Sequence, residues 1–193
     1  MAEYLLEMKQ IVKQFPGTLA LDHVDFTLEQ GEVMALIGEN GAGKSTLMNV
    51  LMGMLQPDSG EMVLRGQTIT NRSPYEALQK GIGMVPQELN LVSDLSIAEN
   101  IFLGLHQKKG NRIDWDHMRS KAKEMLDKLE VDIDPGKKIS EVSAAYQQLV
   151  SIARTLVFGS NIIILDEPTA SLTLNETEHL IKNIRKLKNE GKA

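Results

Sequence analysis

The chain has 193 residues, 42% of them apolar, which suffices for one domain with a sizeable core or one domain with a small subdomain. A net charge of −5 and an isoelectric point near 5.4 give no basic face for nucleic acid, and the lack of cysteine excludes a disulfide scaffold or a thiolate metal site. No stretch approaches the roughly 20 apolar residues of a membrane span, and Glu3 and Glu7 interrupt the N-terminus where a signal peptide would be apolar.

Residues 4–13 and 18–28 cluster or alternate apolar side chains around Phe15-Pro16-Gly17, which predicts two strands joined by a turn. The apolar run 33–37 predicts a buried strand. A helix is expected over 43–55, with Leu47, Val50, Leu51, Met54 and Leu55 on one buried face. A short strand is expected at 61–64. Ser73-Pro74-Tyr75-Glu76 reads as a capping box with proline at the first helical position, and its helix should end near Gly81. Another strand is expected at 82–85.

Ser96-Ile97-Ala98-Glu99 reads as a second capping box, residues 106–112 as a polar loop, and 116–130 as a helix with Met118, Ala122, Met125, Leu126 and Leu129 at helical spacing. Residues 88–150 therefore form a helical insertion. The β-branched run 161–165 predicts a buried parallel strand. Thr173 and Glu176 make a third capping box, starting a helix with Leu180, Ile181, Ile184 and Leu187 inward. Strands alternating with helices predict an α/β fold: a mostly parallel core sheet, an antiparallel β portion at the N-terminus, and the helical insertion.

Two motifs carry chemistry. Gly38-Glu39-Asn40-Gly41-Ala42-Gly43-Lys44-Ser45 has the form G-x-x-x-x-G-K-[ST] between an expected strand and an expected helix. Glycines let backbone wrap a phosphate, and helix-start N–H groups point at the anion. Lys44 then reaches the β- and γ-phosphates, and the Ser45 hydroxyl ligates Mg²⁺. The bland alternative is a Gly-rich turn that happens to contain Lys-Ser. The second motif is the apolar run ending in Asp166-Glu167. Asp166 would sit at the C-terminal edge of the sheet to hold Mg²⁺ through water, and Glu167 would act as general base on a water. Alone such a run is common; in one short chain with a phosphate loop it reads as the other half of a P-loop nucleotide site.

With Val85-Pro86-Gln87-Glu88 and Asp166-Glu167-Pro168-Thr169, these motifs resemble the ATPase domains of ABC transporters across the whole chain. The resemblance implies that Gln87 contacts Mg²⁺ and the attacking water and couples to membrane subunits, that Phe15 stacks on adenine, and that Thr46 touches the α-phosphate. Loop residues 88–105 would receive a coupling helix of a membrane subunit. Phe15-Pro16-Gly17, Ala20-Leu21-Asp22, Ile113-Asp114-Trp115 and Thr169-Ala170-Ser171-Leu172-Thr173 are similar to the first ATPase domain of the double-domain ribose and galactose importers. On this reading residues 1–87 and 151–193 form the nucleotide-binding core and 88–150 the helical subdomain.

Two departures stand out. The family signature Leu-Ser-Gly-Gly-Gln aligns to Val142-Ser143-Ala144-Ala145-Tyr146, keeping Ser143 but placing alanine and tyrosine at its last two positions. In the family that region meets a nucleotide bound by a partner domain. Ala145 is therefore expected to crowd the γ-phosphate, at a backbone conformation costly for anything but glycine. The sequence also stops at Gly191-Lys192-Ala193, where the family continues with a strand and a γ-phosphate histidine, so a C-terminally truncated domain is expected. The resemblance implies ATP and Mg²⁺ as cofactors, and a fused or separate second ATPase domain, permease subunits and, indirectly, a sugar-binding protein as partners. It places the chain peripherally on the cytoplasmic face of the cell membrane, hydrolysing ATP to energise sugar uptake. A non-hydrolysing regulatory module, or an ABC ATPase acting on ribosomes or DNA, are the alternatives.

Overall fold

A computed structural model describes residues 4–105, 108–109 and 112–193. The described residues divide into two compact units, one running to Gly83 together with 187–193, the other lying within 84–186.

In the first unit, β1 (Leu6–Phe15) and β2 (Thr18–Leu28) form the hairpin expected around Pro16-Gly17. The hairpin is followed by α1 (Lys44–Leu51), β3 (Ser59–Leu64), β4 (Gln67–Ile69) and α2 (Pro74–Gln79). The sheet is antiparallel with order β2-β1-β3-β4, and Leu6, Met8, Ile11, Leu21, Leu28 and Met62 are buried. The short β4 is absent from the sequence reading. Its hairpin turn is Arg65-Gly66, both at positive φ (51° and 74°), the geometry that two-residue hairpin loops favour.

Helix α1 stops four residues short of the expected end. Gly53 has φ +72°, and a Cβ there would lie 2.7 Å from the Ser73 nitrogen and 2.8 Å from the Asn71 carbonyl. The chain passes too close for a side chain, and buried Asn71 donates Nδ2 to the Leu51 carbonyl at 2.6 Å, satisfying an end group the helix leaves open. Met54 thus lies beyond the helix and is 52% exposed rather than on the buried face. At α2 the Ser73 hydroxyl accepts from the Glu76 N–H (3.2 Å) as expected. The Glu76 carboxylate, however, accepts from Arg72 N–H (3.0 Å), one residue before the cap, so the box is only half closed.

Residues 33–37 differ most from expectation. They carry no strand assignment, no strand among the described residues pairs with them, and Ile37 is 92% exposed. A β-branched apolar run becomes a strand only where a neighbour accepts its backbone groups, and the described residues supply none.

Strand β5 (Ile82–Val85) crosses the boundary between the units and pairs in parallel with β8 (Ile162–Leu165) of the second. Between them lie α3 (Ile97–Ile101), β6 (Lys108–Lys109), β7 (Arg112–Ile113), α4 (Trp115–Lys128), a single 3-10 turn at Ile139–Glu141, and α5 (Ala144–Val157). Within the expected polar loop 106–112, residues 106–107 and 110–111 lie outside the described residues; the others form an antiparallel ladder, Lys108 opposite Ile113 and Lys109 opposite Arg112. The Ser96–Glu99 box closes in both directions. Ile97, Ile101, Met118, Leu126, Leu129 and Ile152 are fully buried. Only Ile162 of β8 is buried, because among the described residues β5 is the one ladder partner of β8.

Helix α6 (Leu174–Asn189) starts at Thr173, whose N–H and hydroxyl both donate to Glu176 Oε2 (2.9 and 2.8 Å). Leu180 and Leu187 are buried, but Ile181, expected inward, is 39% exposed. Positions 180, 183 and 187 fall on one line at helical spacing, and the inward place belongs to Asn183.

Candidate functional site

The first unit carries the phosphate loop. Residues 39–42 form a turn closed by Ala42 N–H on the Glu39 carbonyl (3.2 Å). Gly43 is the N-cap of α1 at φ +86°, and a Cβ there would sit 2.5 Å from the Ala20 carbonyl oxygen of β2, so only glycine fits. With no side chain at the cap, the first N–H groups of α1 have no side-chain acceptor. Lys44 Nζ folds back on the loop, donating to the Gly38 and Glu39 carbonyls at 2.7 and 2.9 Å. Asn40, Gly41, Ala42 and Ser45 are exposed, and Thr46 is half-buried. The loop thus presents an ammonium held on two backbone carbonyls beside an uncapped helix start, both groups of the kind an anion engages.

Phe15 ends β1 opposite Thr18, half-buried, with Lys13 Nζ 5.8 Å from its ring centre. Asp58 anchors this corner, accepting from Gln14 N–H (2.7 Å) and Lys13 Nζ (3.0 Å). The Gln14 N–H first, then Lys13, hold its carboxyl below the usual range. The sequence reading singled out Phe15 but not this support. Its only signal was an aspartate 44 residues from Gln14.

The second unit carries the acids. Asp166 N–H donates to the Val85 carbonyl (3.0 Å), continuing the β5–β8 ladder one residue past β8. Gln87 and Glu167 each lie two residues beyond their strand ends, and Gln87 Nε2 donates to Glu167 Oε2 at 3.0 Å. Glu167 is exposed at φ 43°, a left-handed conformation unusual for glutamate. Its carbonyl accepts from Ala170 N–H (3.1 Å), which fixes the turn that follows.

Ser143 is the N-cap of α5, with Ala144, Ala145 and Tyr146 in its first turn. Ala145 is helical and absent from the positive-φ residues, so the expected cost of a glycine-only conformation does not arise. Tyr146 is 38% exposed. Gln147 Nε2 ties the helix start to the preceding turn through the Ile139 and Val142 carbonyls (3.3 and 3.1 Å).

Among the described residues no group of three or more His, Cys, Asp or Glu is gathered as a metal cluster. In the first unit the Ser45 hydroxyl, and in the second the Asp166 carboxylate and the Gln87 amide oxygen, the end of that amide turned away from its bond to Glu167, are each hard oxygen donors, the ligand type Mg²⁺ takes.

Comparison with known proteins gives one consistent result. The family described as "ABC transporter" matches residues 21–170. A putative ribose/galactose/methyl galactoside import ATP-binding protein of Pseudomonas syringae pv. tomato is 46% identical over 191 residues, 98% of this chain and 36% of that protein. The galactose/methyl galactoside import ATP-binding protein MglA of Salmonella typhimurium is 46% identical over 189 residues, 98% of this chain and 37% of that protein. The chain thus spans little more than a third of the length of these relatives. A crystal structure of the ADP conformation of an ATP-binding cassette of an ABC transporter superposes with a TM-score of 0.86 at 30% identity, covering 97% of this chain and 78% of that one. The dimeric structure of a bacterial ABC transporter cassette gives 0.80 at 29%, covering 97% and 84%.

Proposed function

From the premise that this chain belongs to the ABC transporter family, we propose that it binds ATP and, within an importer assembly, contributes to hydrolysis that energises sugar uptake. The observation that carries the reading is the phosphate loop: Gly43 pressed against β2, an uncapped helix start, and Lys44 held over the loop carbonyls. The relatives' names supply the sugar importer context.

In this reading the loop backbone from Gly38 through Gly43 binds phosphate oxygens, Lys44 neutralises charge at the β- and γ-phosphates, and Thr46 touches the α-phosphate. Phe15 offers its ring to adenine. Ser45, Gln87 and Asp166 supply oxygens for Mg²⁺. When bound, the ion neutralises charge building on the phosphoryl oxygens. Glu167 Oε1 and Oε2 orient the attacking water and take its proton. Ser143, Ala145 and Tyr146 at the start of α5 serve the nucleotide of a second ATPase domain. Residues 88–105 are the surface for permease subunits, which a sugar-binding protein supplies in turn. Residues 1–87 with 151–193 act as nucleotide core and 88–150 as helical subdomain. No helix among the described residues is long and apolar enough to cross a membrane. Association with the cytoplasmic face would run through the permease subunits.

A second reading, a nucleotide-binding module without turnover, is favoured by one observation: an exposed tyrosine and two alanines in the first turn where the family has Gly-Gly-Gln. ATP hydrolysis measured on the chain alone and in an assembly with a sugar permease separates the two. Sugar-stimulated turnover in the assembly supports the importer. Tight ATP binding with no turnover in either setting supports the module.

A further inference from the structure

We propose that Asn40 is a self-modification site built into the phosphate loop: in the nucleotide-free protein its side-chain amide is lost through attack by the Gly41 nitrogen, bound nucleotide prevents the loss, and the product loop no longer takes phosphate. The second and third parts rest on the phosphate-loop reading above; the first does not.

The sequence contains one Asn-Gly pair, and it falls in this loop. Asn40 and Gly41 are the two central residues of the turn that Ala42 N–H closes on the Glu39 carbonyl (3.2 Å). Lys44 ties the loop at the Gly38 and Glu39 carbonyls, and those ties stop one residue before the pair. The pair itself is untied. Both residues are exposed, and among the described residues neither the Asn40 amide nor the Gly41 N–H has a hydrogen-bond partner. Gly41 lies at φ +85°, and a Cβ built there would meet nothing within 4 Å, so that side of the residue is open. Glycine also carries no side chain to bar the approach of its nitrogen to the neighbouring amide. Asn90 gives the contrast. It too is exposed, at φ 48°, but Leu91 follows it, and a branched side chain beside the attacking nitrogen obstructs ring closure.

The reaction needs only these groups and water. The Gly41 nitrogen, its proton passed to solvent, attacks Asn40 Cγ. A C–N bond forms, the Cγ–Nδ2 bond breaks, and Nδ2 leaves as ammonia with a proton from water. Water then opens the cyclic imide at either carbonyl. One opening gives aspartate with the backbone intact. The other gives isoaspartate, in which the main chain runs through the side chain and is one methylene longer. Nothing is oxidised or reduced. A phosphate oxygen accepting from the Gly41 N–H keeps the proton on that nitrogen and removes the nucleophile, so occupancy protects the loop. Either product is unfit for nucleotide. Aspartate sets a carboxylate where phosphates approach, and like charges oppose binding. Isoaspartate lengthens the chain leading to Gly43, whose close approach to the Ala20 carbonyl leaves no slack.

The test follows the 193-residue chain through prolonged incubation at mildly alkaline pH, with and without saturating Mg²⁺ and a non-hydrolysable ATP analogue. Peptide mass spectrometry reads the conversion of each asparagine, and an isoaspartate-specific methyltransferase reads the imide route. The nucleotide-free chain should lose its Asn40 amide, with isoaspartate among the products, while Asn90 stays intact; the analogue should suppress the loss. The converted fraction, separated by its added negative charge, should bind ATP at least about tenfold more weakly in calorimetry, and so should Asn40→Asp. Asn40→Gln, whose longer side chain closes the ring poorly, should keep its starting affinity throughout the incubation. An Asn40 amide that lasts as long as that of Asn90, or conversion without isoaspartate, overturns the attack by Gly41. Conversion undiminished by an analogue that calorimetry shows to be bound overturns the protection, and full ATP binding by the converted fraction overturns the loss of the site. A fresh chain that binds no ATP contradicts the proposed function and leaves the conversion at Asn40 standing.

Discussion

Replacing Lys44 by alanine should weaken ATP binding about tenfold, a smaller loss than phosphate contact alone suggests. An ammonium facing two phosphates in a partly desolvated loop is worth on the order of 2–5 kcal/mol when truncated. In this protein the ammonium is not idle beforehand. It donates to the Gly38 and Glu39 carbonyls at 2.7 and 2.9 Å, and both bonds must be given up on binding. Each is worth about 1 kcal/mol net, so the surplus is about 0–3 kcal/mol, its centre near about 1.5 kcal/mol corresponding to about tenfold. The same bonds tie the loop, so Lys44→Ala should also lower stability by about 1 kcal/mol, since the carbonyls it frees remain in reach of water. Titration calorimetry with Mg²⁺-ATP, beside thermal unfolding of both proteins, measures both effects. Affinity within twofold of the unmodified chain, in a variant that unfolds normally, would refute the assignment of the loop.

Phe15→Ala should weaken ATP by about 1–3 kcal/mol, the range for base stacking on an aromatic ring, while Phe15→Tyr leaves affinity unchanged; equal affinity for Phe15→Ala in the same calorimetry contradicts the adenine role. Asn100 is fully buried, accepting from Val92 N–H (2.8 Å) and donating to the Val92, Leu95 and Ser96 carbonyls. Asn100→Ala should destabilise the chain by about 3 kcal/mol, since each unmet buried group costs about 1–3 kcal/mol, and a urea midpoint close to that of the unmodified chain would show that water replaces the amide. Asp58 has its carboxyl held low by the Gln14 N–H and Lys13, so its contribution is present above its unfolded value, near 4, and lost as pH falls through the lower folded value. The stability gap between the unmodified chain and Asp58→Asn should therefore be full at neutral pH and narrow below about pH 4; a gap independent of pH in denaturant titrations would contradict it.

What was legible in the sequence was local chemistry. The helix start at Lys44, the Ser96–Glu99 and Thr173–Glu176 boxes and the Pro16-Gly17 turn depend on neighbours a few residues away, and all are found where expected, whereas the strand expected before the Gly38–Ser45 loop is not. The misses are non-local. Residues 33–37 have a strand's composition, yet pairing is a property of a neighbour. Helix α1 ends where Asn71 and Ser73 crowd Gly53, a contact no periodicity encodes. Ile181 and Asn183 exchanged roles because spacing along α6, not hydrophobicity, decides the inward line. At the site, Gln87 and Glu167 were legible as separate residues. Their bond follows only from the register of β5 against β8, which a sequence does not display.

The central proposal, that this chain serves as an ATP-binding part of a sugar importer, is tested most directly by ATP turnover in an assembly containing a sugar permease, compared with the same assembly carrying Glu167→Gln. Sugar-stimulated hydrolysis at about 1–1000 s⁻¹ is expected, and the substitution should lower it about 10²–10⁴-fold, the usual worth of a general base. Turnover unchanged by Glu167→Gln, or indifferent to permease and sugar, would contradict the account.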